Sequence, residues 1–346
     1  MTSLACGSLR ASLAGPRAPH GSLRASLAGR TLRAMRAVRA HGKSVEVVEV
    51  PAPAGDGVRV RVASAGICGS DLHMVAGGFV GARVLGHEVA GVSEDGTPVA
   101  IEPLSPCGAC APCVRGDYNL CEHGPRIIHG VGRDGGMAEE MRVPARALVR
   151  LPAGVALGDA CLVEPLAVAL HGLRRAGLRG GERVAVVGGG AIGLCAVAAA
   201  RAAGAVVALE ARHDAQRAAG ERLGASARPA GAYDLVVDAA GTESSLAKAA
   251  ELARPGGRAA LLGSYWTPVA FPGFALCMKE VGVIPASMYG RAGAVRDIDA
   301  AAALLAATPE LPRAIITHRF PLAAAAEAFA AAADRKTGAI KVVLEP

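Results

Sequence analysis

Between residues 44 and 64 apolar and polar positions alternate, as in Val45-Glu-Val-Val-Glu-Val50 and Val58-Arg-Val-Arg-Val62, with a Pro- and Gly-rich turn between the two runs. A period of two sets one face of each segment against a core and the other toward water, which predicts antiparallel β-strands. Short strands follow at residues 89–92, 99–101 and 141–143, punctuated by Gly and Pro. From about residue 163 the pattern changes. Apolar runs at residues 184–187, 206–209, 235–237, 259–262 and 281–285 alternate with Ala-rich helical stretches. That alternation predicts an α/β fold with a doubly wound parallel sheet. A helix over residues 298–307 and a last strand over 340–344 are expected to return to the first domain.

The chain has 346 residues, long enough for two domains. Hydrophobic residues make up 52% of it and aromatics only 3%, so the core must be built mainly from Ala, Val and Leu. No apolar run approaches the roughly 20 residues a membrane-spanning helix needs, which leaves membrane insertion out of the reading.

Candidate chemistry enters with the cysteines. Cys107, Cys110 and Cys113 form two overlapping C-x-x-C steps, and Cys121 returns after a short polar loop. Tetrahedral zinc takes four thiolates at about 2.3 Å, and overlapping C-x-x-C turns direct successive sulfurs inward. In a small secreted chain such spacing would indicate disulfides; in a long Ala- and Gly-rich chain, structural zinc is the better reading. A second set is dispersed: Cys68, then His87 and Glu88 after Gly86, then Glu164 before Pro165. Catalytic zinc uses three N, S or O ligands and keeps one position open. A thiol, an imidazole and a carboxylate supply that set, although a lone cysteine is more commonly a small core residue.

A third motif follows the run ending at Val187. Gly188, Gly190 and Gly193 form G-x-G-x-x-G between a strand and an Ala-rich helix, the context in which this motif binds a dinucleotide. The glycines allow the tight turn, the approach of the pyrophosphate and close helix–strand packing. Ala191 and Ile192 offer free amides at the helix N-terminus. Glu210 ends the next strand, where an acid accepts hydrogen bonds from the adenosine ribose and favours NAD; Arg212 and His213 follow at once and would instead serve the 2′-phosphate of NADP.

With these motifs in this order, the chain resembles the zinc-dependent medium-chain dehydrogenases, the alcohol, sorbitol and threonine dehydrogenase superfamily, over roughly residues 35–346. The resemblance implies a GroES-like β-barrel catalytic domain at 35–162 with a structural zinc lobe, a Rossmann NAD-binding domain at 163–290, and a return to the catalytic domain at 291–346. It implies that Cys68 and His87 ligate a catalytic zinc, that Glu164 is the carboxylate of the polyol and threonine branches, and that Glu88 ligates or stands just behind the metal. Cys161, one helical turn before Glu164, competes as a ligand but reads as core. Ser70 and His73 resemble a proton relay, and Asp71 the carboxylate that orients the ligating histidine. Residues 135–139 resemble the family's G-G-x-A-E segment. The loop between Cys68 and His87 is shorter than usual in the family, which leaves the substrate open.

The activity so implied is hydride transfer between an alcohol or polyol and a nicotinamide cofactor. Zinc serves as Lewis acid, and the proton leaves through Ser70 and His73. Alternatives are a zinc-free quinone-type reductase of the same superfamily, which the Cys68, His87 and Glu164 set argues against, and a non-enzymatic nucleotide-sensing zinc protein. The expected partner is a small alcohol or carbonyl compound, with neither nucleic acid nor membrane, in a cytoplasmic homodimer or homotetramer.

His171 reads as a hydrogen-bonded structural histidine and Cys195 as packing. Cys6 and Cys277 have no partner by spacing, and the Met and Phe residues of 271–289 read as core by default, with cofactor or subunit contacts as the alternative. The net charge of +7 belongs largely to the first 34 residues, whose five arginines come without a single acid; taking them away leaves +2. Residues 7–15 recur identically as 21–29. Such a segment mimics an organelle transit peptide, and the reading preferred is a disordered extension at 1–34, or a start assigned too early with Met35 as the true first residue. Deleting residues 1–34 is therefore expected to leave kcat and KM unchanged in a steady-state assay.

Overall fold

The computed structural model describes residues 33–346; the reading of the tail and Cys6 lie outside the described residues. The alternating runs form the expected strands, preceded by one that was not expected. β1 (Ala34–His41) pairs antiparallel with β2 (Ser44–Pro51) along its whole length. Its sequence, Ala-Met-Arg-Ala-Val-Arg-Ala-His, is strand-like but sits against an Arg-rich tail that hides the pattern. Ala34 is thus in a strand, and the extension proposed for 1–34 stops short of it.

A seven-stranded sheet is assembled from distant parts of the chain. β3 (Val58–Gly66) leads into helix α1 (Gly69–Gly77), and β4 (Glu88–Ser93), β5 (Pro98–Ile101), β6 (Glu140–Val143) and β7 (Leu148–Arg150) follow. Between β5 and β6 a cysteine lobe carries the short helix α2 (Ala111–Arg115). The strand order is β16 (Ile316–Pro321), β17 (Lys341–Glu345), β3, β4, β5, β7, with β6 also on β3, so two strands from the end of the chain close this sheet.

Helix α3 (Val163–Arg175) then leads to β8 (Arg183–Val187), α4 (Ala191–Ala202), β9 (Val206–Glu210), α5 (Asp214–Arg222), β10 (Ser226–Ala227), β11 (Tyr233–Asp238), α6 (Glu243–Leu252), β12 (Ala253–Leu261), α7 (Gly273–Met278) and β13 (Gly282–Pro285). These six strands form an all-parallel sheet in the order β10-β9-β8-β11-β12-β13. That is the 3-2-1-4-5-6 order of a Rossmann fold, with its topological switch point between β8 and β11. A small hairpin, β14 (Arg291–Ala292) with β15 (Val295–Arg296), precedes α8 (Asp297–Ala307) and α9 (Glu310–Ile315). The chain ends with β16 (Ile316–Pro321), α10 (Ala325–Ala333) and β17 (Lys341–Glu345).

The core is as poor in aromatics as the composition requires. Val184, Val186, Leu235 and Val237 are fully buried on one face of the parallel sheet, and α4 from Leu194 to Ala200 packs on them, mostly through alanine, while Val236 is buried on the other face with Ala249 and Leu252. Small side chains let helix and sheet approach closely, so each larger residue among them carries much of the packing. Tyr289 is the largest side chain to be fully buried among the described residues. The default core reading of 271–289 fails in part: Phe271, Phe274 and Met278 are 62%, 82% and 68% exposed, the first just before the short helix α7 and the other two on it.

The lobe and the two sheets are tied by polar contacts around Gly290. Tyr118 donates its hydroxyl proton to Glu102 (2.6 Å), and the Asn119 amide donates to the Ser287 carbonyl (3.0 Å). Arg296 bridges Glu102 (2.9 Å) and Asp299 (2.7 Å). His171 meets the Asp297 carboxylate at 2.9 Å, which confirms it as a structural histidine. Leu235→Ala in the central strand is expected to cost about 2–5 kcal/mol, measured by urea unfolding, because neighbouring backbone cannot collapse into the gap.

Candidate active site

Cys68 is the N-cap of α1, delivered by the end of β3. Asp71, at the third helical position, accepts the Cys68 amide through Oδ2 at 3.0 Å. Its other oxygen, Oδ1, lies 3.3 Å from Nδ1 of His87. His87 sits between Gly86 and the first residue of β4. Gly86 has φ of +98°, and a Cβ there would come within 2.6 Å of the Met137 side chain. Ser70 Oγ lies 3.3 Å from His87 Nε2. Burial opposes charge on His87, but the Asp71 carboxylate and the Cys68 thiol outweigh it and raise its pKa well above that of an ordinary histidine.

Ligand atoms of Cys68, His87 and Glu88 lie within 4.8 Å of one another. Glu88, fully buried, is already claimed: Lys341 Nζ donates to its two carboxylate oxygens at 2.7 and 2.6 Å, and to the Ile67 carbonyl at 3.1 Å. Gly66, directly opposite in β3, makes room for it, since a Cβ there would overlap a Glu88 oxygen. Glu164 stands in the first turn of α3 and is not part of that three-residue grouping. Burial, with Glu88 adding to it, pushes its carboxyl up to about 7 although His87 pulls the other way. Tyr289, whose buried hydroxyl has no hydrogen-bond partner, is held above the usual tyrosine range by burial and by the Glu164 carboxylate. Cys161 is fully buried, its thiol pushed up to about 12 by that burial, and it is not part of the grouping of Cys68, His87 and Glu88.

The cysteine lobe passes a geometric test for zinc. Cys107 Sγ is 3.9 Å from Cys113 and 3.7 Å from Cys121, and Cys110 Sγ is 3.9 Å from Cys121. Thiolates at about 2.3 Å from a tetrahedral zinc stand about 3.8 Å apart. The Cys107 thiol is lowered to about 6 by the amides of Ala109 and Cys110.

At the switch point, Gly188 has φ of +112°, and a Cβ on it would press on Ala240 at 3.0 Å. A Cβ on Gly193 would overlap the Gly188 carbonyl oxygen, so α4 reaches β8 only because both are glycine. Gly190 caps α4, which leaves the amides of Ala191 and Ile192 facing outward. Glu210 ends β9 and is half-buried, with Arg212 exposed just beyond. Arg217 is taken up by Asp214 and by the Ala211 and Arg212 carbonyls.

Sequence reading missed several of these residues. Lys341 lay in a run read only as a strand. Arg335, from the segment between α10 and β17, brings its guanidinium within 3.4 Å of where a Cβ on Gly190 would lie and 3.9 Å of one on Gly69. Its position between the glycine turn and α1 is set by tertiary structure alone. His73 makes no hydrogen bond with Ser70; it is exposed and stacks on Trp266. Replacing Lys341 by Met is expected to destabilise the fold by about 3–5 kcal/mol in thermal or urea unfolding, because it strands a buried carboxylate, and adding Glu88→Gln should restore part of the loss.

Comparisons with known proteins agree with this geometry. The alcohol dehydrogenase GroES-like domain matches residues 54–153, and the zinc-binding dehydrogenase model matches residues 191–307. The 2-dehydro-3-deoxy-L-galactonate 5-dehydrogenase of Pseudoalteromonas atlantica is 32% identical over 320 residues, covering 83% of this chain and 92% of that one. Among solved structures, L-idonate 5-dehydrogenase of Escherichia coli superposes with a TM-score of 0.82 at 28% identity, covering 90% of this chain and 98% of that chain. A zinc-binding dehydrogenase of Sinorhizobium meliloti bound to NADP gives 0.80 at 30% identity, covering 91% and 100%. With both family models matched and a relative 32% identical over most of both chains, on a 3-2-1-4-5-6 sheet and with two side-chain groups that could hold a metal, this chain belongs to the zinc-dependent medium-chain dehydrogenase superfamily.

Proposed function

We propose that the protein is a zinc- and nicotinamide-dependent dehydrogenase interconverting a secondary alcohol of a polyol or sugar acid with the corresponding ketone. The observation that carries this reading is the convergence of Cys68, His87 and Glu88 ligand atoms within 4.8 Å on the N-terminus of α1, with buried Glu164 beside them. The substrate class is supported by the activities named for the galactonate and idonate relatives.

Cys68 and His87 are the two ligands common to every version of the site. Glu164 is the third: Glu88 has both oxygens on Lys341, whereas Glu164 is a buried carboxyl with no basic side chain bonded to it, a group that a cation would stabilise in its ionised form. Bound there, zinc supplies Lewis acidity and NAD the hydride acceptor. The protein's own groups do the rest. Asp71 beside Nδ1 leaves Nε2 of His87 for the metal side. Ser70, next to that nitrogen, would receive the substrate hydroxyl proton as it gives up its own toward the neutral imidazole of His73, exposed one turn further along α1, which would release it to water. Gly188, Gly190 and Gly193, with the amides of Ala191 and Ile192, hold the pyrophosphate, and Arg335 faces it from the other side. Glu210 at the end of β9 favours NAD through the ribose hydroxyls, with NADP the alternative that Arg212 would support.

Assembly as a homodimer or homotetramer belongs to the same reading. The parallel sheet ends in β13 as an open edge, beside exposed Phe274 and Met278. No helix among the described residues is long and apolar enough to cross a membrane; a cytoplasmic location is part of the reading proposed here.

Metal analysis tests the central claim. The wild-type chain is expected to carry two zinc ions. Cys68→Ser should lose one of them and nearly all turnover, and Cys107→Ser should lose the other. A single zinc in both wild type and Cys68→Ser defeats the catalytic-metal assignment.

A further inference from the structure

The indole of Trp266, the chain's one tryptophan, lies almost parallel to the imidazole of His73, with ring centroids 5.0 Å apart and planes at 17°. The two rings come from opposite sides. His73 stands three residues after Ser70 on α1 and so shares its helix face, the face that touches His87 Nε2. Trp266 belongs to the segment that leaves the carboxyl end of β12 beside the switch point.

That segment is firmly rooted. Tyr265 donates its hydroxyl proton to Asp238 Oδ2 at 2.5 Å, and Ser245 donates to the same oxygen at 3.0 Å. The amides of Ala240 and Gly241 donate to Asp238 Oδ1 at 3.0 and 3.1 Å. Gly263 and Gly241 pack backbone to backbone, so that a Cβ on Gly263 would overlap Gly241. A continuous set of contacts thus runs from the turn at Gly188, against Ala240, through Asp238 and Tyr265 to Trp266, and across to His73.

An exposed histidine near a helix end is otherwise free to change rotamer. We propose that Trp266 is a positioning residue for His73: its ring fixes the imidazole on the Ser70 side of α1 and ties the relay to the cofactor edge of the parallel sheet. This rests on the reading of His73 as the outlet of the proton relay. Aromatic stacking of this kind biases one orientation by about two- to tenfold.

A double-mutant cycle on the zinc-loaded enzyme tests it. Trp266→Leu should lower kcat by about two- to tenfold with KM for NAD unchanged, while Trp266→Phe keeps most of the rate. In a His73→Asn background, itself slowed by about 100-fold, Trp266→Leu should have no further effect on kcat. Losses that multiply across the two substitutions overturn the proposal and leave the relay standing. A His73→Asn enzyme that turns over at the wild-type rate sinks the relay and the proposal with it. Emission provides a readout independent of turnover: because Trp266 is the only tryptophan, His73→Leu should change its fluorescence intensity or maximum. An unchanged spectrum shows that the rings do not stack in solution and overturns the assignment.

Discussion

The ion pair between Lys341 and Glu88 holds the first domain and the site together. Both groups are buried, and the lysine comes from the last strand of the chain while the glutamate follows His87 directly. Taking two charges out of water costs several kcal/mol per ion, and only close geometry with further hydrogen bonds offsets it. Here both carboxylate oxygens and the Ile67 carbonyl meet the ammonium, and Gly66 leaves the space in which they do so. The pair therefore sets the position of β17 against β3 and β4, and with it the backbone on which Cys68 and His87 are carried.

It also divides the work of the acids. Neutralised by Lys341, Glu88 contributes shape and a fixed charge behind the cluster, while Glu164 keeps a carboxyl that burial has made reluctant to ionise without a cation. Placing two carboxylates and one lysine around a thiol and an imidazole is a way of shaping the electrostatics of a metal site before the metal arrives. The alanine-rich core serves the same end, since α4 can lie close on the parallel sheet and bring its N-terminus to the edge that faces the cluster.

What the sequence made legible was local. Four cysteines within a short loop, a glycine turn between a strand and a helix, and Cys68 with Ser70 and Asp71 on one turn of α1 all keep their meaning at fixed spacing. The parallel sheet was legible too, because each strand buried on both faces is an apolar run bounded by helix. Contacts made across the chain were not. Lys341 reads as an ordinary strand residue until β17 is placed beside β3, and Arg335 and Trp266 reach their neighbours from remote segments. Tyr289 carries no motif, yet it is buried at the site because the cysteine lobe presses on the backbone either side of it. Phe271, Phe274 and Met278 misled in the opposite sense: read as core by default, they are exposed on and just before the short helix α7.

That lobe has a bearing on chemistry far larger than its size suggests. Inside the loop between Cys113 and Cys121, Asn119 donates to the Ser287 carbonyl and the Tyr118 hydroxyl, bonded to Glu102, sits 3.1 Å from the Gly290 carbonyl, so the loop flanks Tyr289 on both sides. A metal held by those four cysteines would act as the peg that fixes this segment beside Glu164. The length of the Cys113–Cys121 loop is accordingly as much a part of the enzyme's catalytic specification as any residue that would bind the second ion.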